Sequence, residues 1–188
     1  MTDPGTTYSE AARREVAALF EMHGASLYRF ARAIVLSTED AKDVVQETFV
    51  RLLAHLDRSG DTTNLKSWLF TVSANACRDV LRSRRRWLPW GPEHERRIEP
   101  DEGLLDDRRQ LLEEAARRLP ARDRMLLALR AQGSTYRDIA TVSGIREQSV
   151  GRLLARATSR WQRECRRMMA NDHEYLPDGH RTSRTGGR

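Results

Sequence analysis

The chain has 188 residues, and 33 Lys and Arg against 27 Asp and Glu leave a net charge of +6. That length accommodates one domain or two small ones, and a basic balance favours phosphate-bearing partners. No apolar run is long enough to span a membrane and no secretory leader pattern opens the chain, so a cytoplasmic protein is expected. Cys77 and Cys165 stand alone without a CxxC partner, which supports neither a disulfide framework nor a zinc site.

Thr7 and Glu10 have the spacing of a capping box. A helix is expected after them, with Val16, Leu19, Phe20, Leu27, Phe30 and Ile34 on one side and Gly24 as a point of kinking or splitting. Ser37 and Thr38 are the next N-cap candidates, followed by Glu39 and Asp40 in a first turn, where the helix dipole favours acids. The second helix is read over Asp40 to Leu56, DAKDVVQETFVRLLAHL. Its apolar side is Ala41, Val44, Val45, Phe49, Leu52, Leu53 and Leu56, while Asp40, Asp43, Gln46 and Glu47 share another side. An acidic side beside an apolar one suits docking on a basic protein surface, and it equally suits a solvated face. A metal site on Asp43, Glu47 and His55 is a third reading, but no further ligand completes it.

Asp57 to Asn64 is polar with a central Gly, which predicts a loop that Asn64 ends by capping the next helix. That helix, LKSWLFTVSANACRDVLRSRRRWL, turns Leu65, Trp68, Leu69, Val72, Ala76 and Val80 to a core and keeps Asn75, Arg78 and Arg82 on a different side. Arg84, Arg85 and Arg86 make either a favourable C-terminus or, beside Trp68, Phe70 and Trp87, a surface for single-stranded nucleic acid. Leu88 to Gly103 carries three prolines and no helical period, as a linker does. A second helical set begins at Leu104. Its stripe of Leu105, Leu111, Leu112, Ala115 and Leu119 ends at Pro120, and Met125, Leu126 and Leu129 follow in a helix that stops at Gly133.

Ser134 to Trp161 reads as a helix-turn-helix. Ile139 and Ala140 belong to its first helix, with Ala140 small where the helices cross, and Gly144 suits a turn at positive φ. Val150, Leu153, Leu154, Ala157 and Trp161 form the apolar back of the second helix, and Ser149, Arg152, Arg156 and Arg160 its basic front. A helix that enters the major groove needs this division. Beyond Ala170 the chain turns polar and Gly/Arg-rich, and a disordered tail is expected there.

Taken together, these segments resemble an extracytoplasmic-function sigma factor, the small two-domain class of bacterial sigma factors. The resemblance runs from the first helix to about residue 168. DAKDVVQETFVRLL resembles the family's segment that docks on the clamp helices of the polymerase β′ subunit. SWLFTVSANACRDVLRSRRR resembles its minus-ten segment, LPARDRMLLAL the opening of its second domain, and STYRDIATVSGIREQSVGRLLARA its minus-thirty-five helix-turn-helix. The resemblance implies an all-α protein of two small helical domains joined by a flexible linker: 1–87, a linker over 88–104, 105–170, and a tail over 171–188.

It further implies that Asp40, Asp43, Gln46 and Glu47 bind polymerase. The loop residues Asp61, Thr62, Thr63 and Asn64 would capture an unstacked base with Asn75, while Arg78 and Arg82 hold the strand. Arg146, Gln148, Ser149 and Arg152 would face the upstream element, with Arg156 and Arg160 on phosphate or the polymerase β flap. Ser143 departs from the apolar residue usual in the family, and Gln148-Ser149 from the common Gly-Thr. The implied partners are core RNA polymerase, promoter DNA both duplex and single-stranded, and an anti-sigma protein of the kind the family often uses. No catalytic set, metal or cofactor is expected. Two other classes remain open on residues alone: a duplex-only helix-turn-helix regulator, and a metal-dependent nuclease on Asp43 and Glu47.

Overall fold

The computed structural model describes residues 8–87 and 107–174, among which seven α-helices and no strand occur. The chain forms α1 (Glu10–Val35), α2 (Thr38–Ser59) and α3 (Leu65–Trp87), then α4 (Asp107–Arg117), α5 (Ala121–Ala131), α6 (Tyr136–Ser143) and α7 (Glu147–Glu174). The linker expected over 88–104 lies outside the described residues.

Local chemistry sets the helix ends, at places near those expected. Thr7 is outside the described residues, and Ser9 caps α1 by accepting the Ala12 N–H (3.2 Å). The Ser9 N–H is itself held by Asp57 Oδ1 at 2.8 Å, which ties the start of α1 to the end of α2. Gly24 does not break α1. It is buried under the Phe20 ring, and a Cβ there would stand 3.4 Å from ring carbons, so the glycine serves close packing. Ser37 caps α2 as expected. Gly60, at φ +61°, ends it three residues later than Leu56, so the polar loop shrinks to residues 60–64.

The first three helices enclose Leu27, Phe30, Ile34, Leu52 and Leu69, all fully buried. Phe30 and Phe70 meet edge to face at 5.2 Å. Truncating Phe30 to Ala would cost about 3–5 kcal/mol at such a site. Thr48 is also fully buried, and its hydroxyl satisfies itself on the Val44 carbonyl at 2.7 Å. In the second set, α4, α5 and α6 pack on α7 around Leu126, Leu129, Ile139, Val150 and Ala157. A tail is expected over 171–188. Asn171 to Glu174 contain neither Gly nor Pro and continue α7, and residues 175–188 lie outside the described residues.

The two sets of helices also pack on each other, α5 on α1 and α6 on α3, so their apolar residues form one continuous cluster. Periodicity along single helices carries no signal for that contact.

Candidate functional site

Three surfaces hold the residues singled out by sequence. The first is the outer side of α2. Asp43, Gln46 and Glu47 are exposed there, and Glu47 pairs with Arg51 at 2.7 Å across one turn. Asp40 stands apart from them: it pairs with Arg84 and fastens α2 to α3. Arg84 also donates to the Val35 carbonyl (2.7 Å), so this arginine holds the fold together; the side chains of Arg85, Arg86 and Trp87 lie outside the described residues. Beside the acidic residues an apolar groove of about 710 Å³ opens between α1 and α2, with Phe20, Tyr28, Val45, Phe49 and Val50 in its walls and Gln46 at its edge. Phe20 and Val50 are half and two-fifths exposed. Phe20 is held edge-on to Phe49 at 5.1 Å. Lys42 also lines the groove, and the exposed carboxylates of Asp43 and Glu47 stand next to Lys42 and Gln46 in the chain, outside the lining itself. An apolar floor flanked by such acids fits an amphipathic helix with basic residues beside its apolar face. Sequence reading placed Phe20 in a core stripe and did not find this groove.

The second surface runs from the α2–α3 loop down α3. Asp61 Oδ1 accepts the Thr63 N–H at 2.8 Å, closing an Asx turn. The backbone hydrogen bond from Thr63, then the Thr63 hydroxyl, hold the Asp61 carboxyl below the ordinary aspartate range. Asn64 sits at φ +54° and gives its carbonyl to the Trp68 N–H, so it starts α3 through its backbone. Asn75 is eleven residues further on, about three turns and ~16 Å along the axis, and so returns to the same side of the helix. Arg78 and Arg82 follow at i+3 and i+7 from it. Arg82 pairs with Asp79 at 3.1 Å. Arg78 donates to Asn75 Oδ1 and reaches across to the second set of helices, donating to the Val142 carbonyl at 2.9 Å. Trp68 is half-buried and stacks on His55 at 5.0 Å. His55 therefore packs against an indole, and no group of three potential metal ligands occurs among the described residues.

The third surface is α6 and α7. Thr135 and Asp138 form a capping box: the Thr135 hydroxyl accepts the Asp138 N–H at 3.2 Å, and Asp138 Oδ2 accepts the Thr135 N–H at 3.1 Å. The Thr135 hydroxyl, then its N–H, lower the Asp138 pKa. Gly144 ends α6 at φ +69°, with its N–H on the Ala140 carbonyl at 2.9 Å. The close crossing expected at Ala140 also uses Gly151, whose Cα approaches the Tyr136 ring so that a Cβ would lie 3.4 Å from it. Ser143, placed where an apolar residue is usual, returns its hydroxyl to the Ile139 carbonyl and so needs no other partner.

On α7, Arg146 and Gln148 at the entry and Arg152 and Arg156 along the helix are exposed, and Ser149 is half-buried. Val150, Leu154 and Ala157 are buried on the other side. Arg160 bonds Asp123 of α5 at 2.6 Å, a carboxylate whose side chain is only 10% exposed. A shallow basic groove of about 380 Å³ joins Arg152, Arg156, Ser159, Arg160 and Arg163. Ser159 and Arg163 were missed by sequence reading, although they lie one heptad beyond Arg152 and Arg156. A row of arginines at one-turn spacing can follow a phosphate backbone.

The family description Sigma-70 region 2 matches residues 19–87, and Sigma-70 region 4 matches residues 109–160. The chain is similar to the ECF RNA polymerase sigma factor SigL of Mycobacterium tuberculosis, 36% identical over 156 residues that cover 78% of this chain and 85% of that protein. It is also similar to SigM of the same organism, 30% identical over 146 residues, 77% of this chain and 74% of that protein. Among solved structures, it is similar to the sigma factor RpoE in complex with the anti-sigma factor NepR from Bartonella quintana. That match has a TM-score of 0.63 and 25% identity, covering 84% of this chain and 98% of the other. A likeness of fold extends to CnrH in complex with the cytosolic domain of CnrY, with a TM-score of 0.60 at 23% identity over 87% of this chain and 94% of that one.

Proposed function

The chain belongs to the extracytoplasmic-function class of RNA polymerase sigma factors, which direct promoter recognition and transcription initiation, and we propose that its three surfaces divide that work. Asp43, Gln46 and Glu47, with the groove between α1 and α2, take the clamp helices of the polymerase β′ subunit. The observation that carries this is an apolar groove lined by Lys42 and Gln46 of α2, whose chain neighbours Asp43 and Glu47 are exposed carboxylates. Apolar side chains of the partner fill the groove, and the acids fix its basic flank. Asp40 supports this face from behind through Arg84.

The strip from Asp61, Thr62, Thr63 and Asn64 to Asn75, Arg78 and Arg82 takes the unpaired minus-ten strand. Unstacking a base costs a few kcal/mol, and capture of the displaced base offsets it. Arg146, Gln148, Ser149 and Arg152 reach base edges of the upstream duplex. Arg156 and Arg163 follow its phosphates, while Arg160 supports α7 through Asp123 and lends its remaining donors to phosphate or the β flap. The chain contributes no catalytic residue: polymerase supplies the chemistry, and the protein works where polymerase is, in the cytoplasm. No helix among the described residues is long and apolar enough to cross a membrane. Similarity to a sigma factor in complex with an anti-sigma factor supports a partner of that kind for this chain too.

The docking assignment is tested by Asp43→Lys with Glu47→Lys, measured as affinity for core polymerase. Both side chains are exposed, so the helical circular dichroism stays unchanged. Like charges set against a basic partner cost several kcal/mol in total, a loss of at least about 100-fold in affinity. Wild-type affinity in the double variant contradicts the assignment.

A further inference from the structure

Two arginines cross between the helical sets in opposite directions, and each ends on a helix C-terminus of the other set. Arg124 of α5 donates Nη2 to the Ile34 carbonyl at 2.6 Å, in the last turn of α1. Arg78 of α3 donates Nη2 to the Val142 carbonyl at 2.9 Å, in the last turn of α6. The last carbonyls of a helix lack intrahelical donors and carry the negative end of its dipole, so a guanidinium is a favourable cap for them. Between the two caps, Met125, Leu126, Leu129 and Ile139 of the second set join the core of the first. Met125 Sδ itself lies 3.6 Å from Arg78 Nη2. Arg124 also donates Nη1 to Leu119 O at 2.6 Å. Burial, then the charge of Arg84, push its pKa down to about 10, so it stays protonated at neutral pH.

We propose that these reciprocal arginine caps latch the free chain closed, and that the second domain and single-stranded promoter DNA compete for the same surface of α3. The inference rests on the reading of Asn75 to Arg82 as the strand-contacting strip. In the closed chain, Arg78 is committed to the Val142 carbonyl and to Asn75 Oδ1, so both groups are spent on contacts that the strand requires. Separation of the domains frees Arg78 from the Val142 carbonyl, while its bond to Asn75 lies within α3 and yields to the strand itself. A competitor of this kind lowers apparent affinity by the fraction of molecules that are open.

The test uses the full chain with fluorescent labels at Arg29→Cys and Arg122→Cys. Both positions are exposed, whereas Cys77 and Cys165 are buried and inaccessible to the dyes. The binding probe is a 15-nucleotide single-stranded DNA pool of randomised sequence. The free wild-type chain shows one short inter-label distance and weak binding. Arg124→Met keeps the apolar stem and removes the cap on Ile34. Met125→Lys sets a cation against Arg78. Both variants lengthen the distance and bind the pool at least about tenfold tighter, as expected if at most about a tenth of the wild-type chain is open. Arg124→Met removes a positive charge and Met125→Lys adds one, so tighter binding by both cannot come from net charge. If Met125→Lys fails to fold, Arg124→Met carries the test alone, because its lost charge would by itself weaken binding; if Arg124→Met fails to fold, Arg124→Gln, which loses the same charge, takes its place.

A long distance in the free wild-type chain overturns the latch. Longer distances with unchanged binding overturn the competition. Arg78→Ala, added to the open Arg124→Met chain, weakens binding if the strip reading holds. Unchanged binding there, with the distance still long, refutes the strip reading and the competition with it but leaves the latch standing.

Discussion

Arg160→Ala separates a structural arginine of α7 from those proposed to contact DNA. Arg160 lies in the same row as Arg152 and Arg156, yet it alone of the three bonds a carboxylate of another helix, Asp123 at 2.6 Å. The Asp123 side chain is 10% exposed and that of Arg160 39%. Removal of one partner of a fully buried pair costs about 3–5 kcal/mol, whereas exposed pairs contribute about 0–1 kcal/mol. This pair stands between those limits. Asp123 also occupies the first turn of α5, where the helix dipole returns about 0.3–1 kcal/mol to a lone carboxylate. The expected loss is therefore about 2 kcal/mol, roughly 4–8 °C in Tm for a chain of this size. Asp123→Ala in the Arg160→Ala background restores part of it, because no buried charge is then stranded. Arg152→Ala leaves Tm unchanged and weakens binding to upstream duplex by about 1–3 kcal/mol. Thermal melts and duplex titrations of the four proteins decide the matter. Wild-type stability in Arg160→Ala, with a duplex defect as large as that of Arg152→Ala, would refute the reasoning.

Gly144→Ala meets open space but forces a Cβ into φ +69°, so it should cost the domain about 1 kcal/mol in urea denaturation with no change in the native contacts. The Asp138 carboxyl titrates below an unfolded aspartate, so the stability it lends α6 is present above the unfolded pKa and lost as pH falls through the depressed folded value. NMR titration of its side-chain carbon checks this, and a midpoint at or above that of a model aspartate contradicts it. Limited proteolysis should cut first between Trp87 and Leu105, where sequence composition reads as a Pro-rich linker. A first cut inside α2 counts against the domain division.

Features set by one residue or one helical period were legible from sequence. Ser37 and Gly144 announced helix ends because capping oxygens and positive φ demand particular residue types. The buried back of α7 followed from the spacing of Val150, Leu154 and Ala157. Competing local signals misled in places. Thr7 and Glu10 fit a capping box, yet Ser9 does the capping, and Gly24 reads as a break but serves the Phe20 ring. Pairings between distant elements left no trace. Nothing in the run of arginines distinguishes Arg84, spent on Asp40 and the Val35 carbonyl, from Arg82 on the surface. Nor does it mark Arg78 and Arg124 as partners of carbonyls 64 and 90 residues away. The groove between α1 and α2 is likewise a property of two helices together, made from residues that each look like core.

The most direct test of the division of labour is transcription with core polymerase on a promoter library in which each element is randomised in turn. Asn75→Ala should alter preference within the minus-ten element and slow open-complex formation, with a pre-melted template restoring the rate but not the preference. Arg152→Ala should relax selection at one upstream position and leave the minus-ten profile intact. Both variants shifting the same element, or an unchanged minus-ten profile in Asn75→Ala, would contradict the account.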